Sequence, residues 1–236
     1  MIPLRRHLSR LAGERRMPWF VLLFVLLIAG IAGFNFYLED RRRKALQQLA
    51  RAHGLNYHRK DPFDIPNRYP FELFKQGHSQ EASNCLNGKY KGVSIVLFDY
   101  SYRTGSGKDK TTHTLSALLA KSGIYSPHLI IRPETVLDRF AAFFGFDDIN
   151  FESDEFNRAF NVRGDDKKFA YDICHNEMME FLLRHRSMHW ELGGEYLLLY
   201  EERSSRADFQ ELRAYLRLAS EFIALIPEYL RRESRP

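Results

Sequence analysis

WFVLLFVLLIAGIAGFNFYL, Trp19 to Leu38, is a run of twenty residues with no charge and one polar side chain, Asn35. At about 1.5 Å per residue it spans roughly 30 Å as a helix, the thickness of a bilayer's hydrocarbon layer. Arginines crowd both ends, and Trp19 and Tyr37 stand where aromatic rings anchor to lipid headgroups. The run therefore reads as a single membrane-spanning helix over 18–38. It sets the plan for the rest: a basic N-terminal tail over 1–17, a basic helical stalk over 39–54 and one globular domain over 55–236.

A cleaved signal peptide is the alternative, because Gly30 and Ala32 supply small residues at a cleavage-like spacing. Against it, the apolar run exceeds the roughly 7–15 residues of a signal core and continues to Leu38. In the tail, Leu4, Leu8 and Leu11 recur at helical spacing among Arg5, Arg6, Arg10, Arg15 and Arg16. Both an amphipathic helix lying on the membrane and a frayed basic tail fit that pattern. Orientation is a contest between two clusters: five arginines precede the span, and Arg41, Arg42, Arg43, Lys44 and Arg51 follow it. The contiguous Arg41–Lys44 cluster is a stop-transfer signal, which favours an inner-membrane protein with its C-terminal domain in the cytoplasm.

The net charge of +5 invites a nucleic-acid reading until it is divided along the chain. Residues 1–52 hold ten Lys/Arg against three Asp/Glu; residues 53–236 hold 25 against 27. The positive excess flanks the apolar span, where it meets anionic lipid, and the domain is nearly neutral. The expected partners are thus the bilayer and a protein, with no nucleic acid. Two cysteines, Cys85 and Cys174, have no metal spacing; they are half-buried thiols, or a single bridge in an oxidising compartment.

Good helix formers carry the stalk to Gly54, a natural helix stop. Leu55–Arg59 reads as a strand, and the three prolines between Asp61 and Pro70 as a rigid irregular connection. Ala82–Leu86 leads into Asn87-Gly88, a hairpin signal, and Val93–Arg103 follows as a central strand, apolar on both faces. Thr111–Ala120 and His128–Arg132 read as two further strands. Pro133 opens a helix to Phe144, Ile149–Phe151 suits a short strand, and Ser153 caps a short helix. Asp165 or Asp166 caps a longer helix to about Arg186, with Phe169, Ile173, Met178, Phe181 and Leu182 as its buried stripe. Gly193-Gly194 reads as a second hairpin between His189–Leu192 and Tyr196–Glu202. Asp208–Arg232 is a last amphipathic helix, bent or ended near Pro227. The class is α+β: an antiparallel-sheet domain with packed helices behind an N-terminal transmembrane helix.

Chemistry-bearing motifs are incomplete. Gly105-Ser106-Gly107-Lys108 resembles part of a phosphate loop, but Tyr102 stands at the first glycine position and Asp109 follows the lysine. The bland reading is a hairpin tip whose cations, Arg103, Lys108 and Lys110, contact a ligand or a partner's acidic patch. His185 and His189 lack the glutamate of a zinc hydrolase motif, so no metal or other cofactor is expected. The acidic run 147–155 lacks the glycine of a calcium loop and suits a helix start. No nucleophile elbow is present. Asp99, Ser101 and His113 fall on strands that are candidates for neighbours, either as a reactive trio or as an Asp99–His113 structural pair at the sheet's end.

Phe98-Asp99-Tyr100-Ser101-Tyr102, Thr104-Gly105-Ser106-Gly107-Lys108, Thr111-Thr112-His113 and Ile131-Arg132-Pro133-Glu134 resemble a group of uncharacterised bacterial membrane-anchored proteins. Phe156-Asn157-Arg158-x-Phe160 and Val162-Arg163-Gly164-Asp165 belong to the same pattern, which covers Leu55 to Glu202. The group combines an N-terminal membrane segment, a basic stop and a domain of unknown function. The resemblance implies a membrane-tethered module and carries no catalytic residue. The expected function is binding, scaffolding or regulation, with no catalytic residues assigned. The alternative is a membrane-bound hydrolase or transferase using polar residues near the Thr104–His113 loop.

Overall fold

The computed structural model describes residues 19–134, 149–202 and 205–233. The expected tail over 1–17 and the body of the helix expected after Pro133 lie outside them. The described chain divides into two compact units, the first ending at Lys44 and the second beginning at Ala45. Helix α1 (Trp19–His53) runs through the boundary. In the first unit all apolar side chains from Phe20 to Leu38 except Val21 are exposed, so the run is long and apolar enough to cross a membrane and buries nothing on itself. In the second, Leu46, Leu49 and Ala50 are buried in the domain's core, so the last turns of α1 are part of that core.

The domain is α+β, as its residue pattern predicts. Among the described residues its antiparallel sheet has six strands: β1 (Asn56–Lys60), β2 (His78–Tyr90), β3 (Val93–Thr104), β4 (Thr111–Pro133), β5 (Phe160–Gly164) and β6 (Met188–Glu201). One edge of β4 pairs with β3 along its first half and with β5 along its second; the other edge pairs with β6. The β2–β3 hairpin turns at Lys91-Gly92, both at positive φ, and not at Asn87-Gly88, which lies within β2. Gly88 answers to packing instead: a Cβ there would stand 2.8 Å from Leu55 Cδ2.

Two expectations fail together, for one reason. The stretches Thr111–Ala120 and His128–Arg132 are one strand, β4, and Gly193-Gly194 lies inside one strand, β6. Between Lys121 and Leu129, β4 uses eight residue steps while β6 uses four, from Tyr196 to Leu192. The extra residues are an extended bulge, and the ribbon bends there. The bend is sharp: the rings of His189 and Tyr200, both in β6, stack at 4.6 Å. Eleven steps of straight strand would separate them by roughly 36 Å.

The bent sheet is covered on both faces. On one lie α4 (Asp154–Ala159), α5 (Lys167–Ile173), α6 (Asn176–Leu183) and α7 (Phe209–Leu225), with Trp190 stacked on Phe222 at 5.0 Å. On the other lie two single-turn helices: α2 (Ile65–Arg68), inside the connection expected to be irregular between Asp61 and Pro70, and α3 (Glu72–Lys75), just after it. Their segment packs Ile65, Phe71, Leu73 and Phe74 onto Phe98, Tyr100 and Leu198.

Caps act where the residue types place them. Ser153 accepts from Phe156 N, Asp166 from Phe169 N, and Asp208 forms a reciprocal box with Glu211. The helix expected from Asp165 or Asp166 to about Arg186 is broken at Cys174-His175, where the His175 ring lies 3.0 Å from the Leu225 carbonyl; its predicted stripe is nevertheless buried. Residues 149–151 are irregular, and α7 ends before Pro227, followed by α8 (Glu228–Glu233). Cys85 and Cys174 are free thiols buried in separate cores on opposite faces of the sheet, so no bridge joins them. Burial pushes the Cys85 thiol up to about 12.

Trp190→Ala removes the ring held between Phe181 and Phe222 and is expected to cost about 3–5 kcal/mol in urea unfolding. Asp208→Ala, which removes only the α7 cap, is expected to cost about 1 kcal/mol.

Candidate functional site

The strand register places the residues singled out in the sequence. Across β3 and β4, His113 faces Tyr102 and Asp99 faces Ser116, three positions apart along the ladder. His113 stacks on Tyr102 at 4.7 Å and its Nε2 lies 2.7 Å from Thr104 Oγ1. The structure therefore brings neither Asp99 with His113 nor Ser101 between them. Arg103, Lys108 and Lys110 are exposed around a hairpin tip that contains one 3-10 turn, Gly107–Asp109. No helix follows, because β4 begins at Thr111.

Asp99 instead anchors a buried network. It is 3% exposed; Oδ1 accepts from Ser116 Oγ at 2.9 Å and Oδ2 from Asn84 Nδ2 at 3.0 Å. Asn84 sits at positive φ in a bulge of β2, a conformation asparagine tolerates, and accepts from Tyr57 OH at 2.7 Å. Ser116 Oγ accepts in turn from Ala207 N, and Arg206 Nη1 lies 3.5 Å from Asp99 Oδ2. This network ties β2, β3 and β4 to the chain that enters α7. It is a structural knot, and its carboxylate is already engaged.

The residues of the apolar span's ends are placed as follows. Trp19 packs edge-on to Phe20, and Arg41 lies 5.9 Å over the Tyr37 ring. Lys44 Nζ sits 2.6 Å from Asp40 Oδ2 and Arg43 pairs with the same carboxyl, which together hold Asp40 below the usual carboxylate range. Arg42 and Arg43 are both half-buried.

A cleft of about 680 Å³ lies at the bend of the ribbon, and nothing in the sequence pattern pointed to it. The bend supplies Tyr125, His128 and the run Gly193–Tyr196; the segment bearing α2 and α3 supplies Arg68–Phe71 and Lys75. Tyr69 packs edge-on against Tyr196 at 4.8 Å and parallel to Phe71 at 6.4 Å. Burial, then the hydrogen bond with Tyr196, pushes the Tyr69 phenol up to about 12. Gly193 makes the close approach possible: a Cβ there would stand 3.3 Å from Phe71 Cε1 and 3.6 Å from His128 Cδ2. Tyr125 is 74% exposed beside the cleft.

Behind the lining sits Glu191, 2% exposed. Its Oε1 accepts from Glu72 N at 2.8 Å and pairs with His128 Nε2. That carboxyl thus joins β6, β4 and α3 at one point. The Glu191 hydrogen bond raises the His128 pKa above its ordinary 6.5, against the opposing effect of burial.

No family model matches the chain, and no curated protein matches it. The crystal structure of the mycobacterial trehalose monomycolate transport factor A, TtfA, is similar to it, with a TM-score of 0.52 at 14% identity. The likeness covers 79% of this chain and 95% of that one. What the two share is a fold.

Two measurements follow. Asp99→Ala is expected to cost roughly 3 kcal/mol by leaving its buried partners uncompensated, whereas His113→Ala is expected to cost about 1 kcal/mol; equal losses in urea unfolding would contradict the separation of the two residues. For His128, a raised folded pKa means the stabilisation is full below about 6.5 and is lost as pH rises through the folded value. The unfolding midpoint of the unmodified chain is therefore expected to fall with rising pH relative to that of His128→Gln.

Proposed function

We propose that the chain is a single-pass protein of the bacterial inner membrane whose cytoplasmic α+β domain acts by binding, as a scaffold or regulator. The chain then belongs with the membrane-anchored proteins that its Phe98–Tyr102 and Ile131–Glu134 stretches resemble. The observation that carries the reading is the apolar run Trp19–Leu38, whose large side chains, apart from Val21, lie exposed on a helix long enough to cross a bilayer. Left in water that surface would be a severe aggregation liability; in hydrocarbon it needs no cover. Trp19, Tyr37 and the Arg41–Lys44 cluster mark its two interfaces, and the bilayer is the first partner.

Binding as the mode of action is supported by the cleft, which combines aromatic walls with a few placed polar groups. The polar residues near the Thr104–His113 loop, by contrast, are spread along a ladder and an exposed tip. The structure similar in fold is that of a transport factor.

Alkaline extraction of membranes tests the anchor. The full-length chain is expected to stay in the pellet and to be released by detergent, and Phe24→Lys with Ile28→Lys is expected to move it to the supernatant. A full-length, unprocessed chain in the soluble fraction, or a shortened chain lacking the run, would overturn the reading.

A further inference from the structure

We infer that the cleft at the bend of the β4–β6 ribbon binds a small organic anion, whose charged group meets Arg68, Lys75 and His128 while its flat or apolar body lies against Tyr69, Tyr125 and Tyr196. The inference rests on the binding reading of the domain and does not depend on which side of the membrane the domain faces.

The volume of about 680 Å³ suits a small molecule or a headgroup. The sign of the ligand follows from which charges line the cleft. Cations reach it from three elements: Arg68 from α2, Lys75 from α3 and His128 from β4. One acid, Glu195, is among the lining residues, and Lys121 Nζ already engages it at 3.3 Å. The carboxylates facing His128 are Glu191, Asp165 and Glu72, and the same three face Lys75; none of them lines the cleft. Glu191, buried behind the cleft, pairs with His128, and the half-exposed Glu72 pairs with Lys75 Nζ at 2.6 Å, so an anion in the cleft meets these two cations alongside their own carboxylates.

His128 is the hinge of this arrangement. With Nε2 directed to Glu191, a protonated ring leaves its Nδ1–H as a donor for a group in the cleft. A cationic ligand is disfavoured on independent grounds. Arg68 lies 5.8 Å over the Tyr69 ring and Lys121 lies 5.9 Å over Tyr196, so the chain's own cations occupy ring faces that would attract one. An anion placed beside Arg68 gains a charge-assisted hydrogen bond instead. The apolar body is called for by the rings, including Tyr125, whose exposed surface the chain leaves uncovered. A soluble aromatic or aliphatic acid and an anionic lipid headgroup share this chemistry.

The test uses the full chain in a neutral maltoside detergent, with phenylacetate as the probe and phenylacetamide as its uncharged isostere. Phenylacetate stays ionised from about pH 6 to about pH 9, so any pH dependence belongs to the protein. Calorimetric titration is expected to give saturable phenylacetate binding that weakens as pH rises through the His128 range. Arg68→Gln and Lys75→Gln are each expected to weaken it about tenfold. His128→Gln is expected to abolish the pH dependence. All three variants should keep the unmodified chain's circular dichroism spectrum. Phenylacetamide binding as tightly as phenylacetate, no saturable binding, or indifference to both Arg68→Gln and Lys75→Gln would overturn the inference. None of these results would touch the membrane anchor, which the extraction experiment tests separately. Displacement of phenylacetate by dihexanoyl phosphatidic acid at lower concentration than by phenyl phosphate assigns the site to lipid headgroups; the reverse order assigns it to soluble acids, and either supports an anion site.

Discussion

The constraint on which the domain depends is a mismatch of length between two paired strands. Between the same two ends of their ladder, β4 carries four more residue steps than β6. A flat ladder has no room for them, so the ribbon bends and brings the two ends of β6 within ring contact, His189 on Tyr200. One face of the sheet becomes concave. It closes over Phe98, Tyr100 and Leu198, and the short segment with α2 and α3 completes that core. The opposite face is left broad enough for α4 to α7, with Trp190 stacked among Phe181 and Phe222.

The cleft is a consequence of the same bend. Where β6 turns, Gly193 has no side chain, and Phe71 and His128 come in against its backbone. Glu191, three residues before Gly194, is thereby carried beneath His128 and the amide of Glu72. One buried carboxyl then serves as a tie between three elements, which is a sparing way to hold a segment whose two helices are each a single turn. The Asp99 network does similar work at another place, joining three strands to the entry of α7. Of the two buried carboxyls, one lies behind an open cleft and the other is enclosed. That difference separates the candidate binding site from the structural knot, although both are acidic residues on strands.

Much of the domain was legible in its residues, wherever local chemistry decides the outcome. The caps at Ser153, Asp166 and Asp208 satisfy helix N–H groups within a few residues of themselves, so the residue type is enough. The buried stripes of α6 and α7 follow from periodicity. The strand β3 is apolar on both faces because both faces are covered, and that too is written locally. The errors share a different cause. Asn87-Gly88 and Gly193-Gly194 carry strong turn signals, yet one glycine admits Leu55 and the other admits Phe71. A glycine that makes room for a distant neighbour has the same letters around it as one that makes a turn. Asp99 and His113 likewise suggested a pair, and only the register, with Tyr102 opposite His113, set them apart.

By itself the sequence determined the long apolar helix with its basic flanks, the α+β class, the helix caps and the residues of the core, because each depends on composition or on spacing over a turn or two. Tertiary structure alone decided the merging of strands into β4 and β6, the bend between them and the cleft lined by Arg68, Lys75 and His128 with Glu191 behind it. Those depend on which residues meet across a ladder, and Glu72 and Glu191, 119 positions apart, meet only after the sheet has folded.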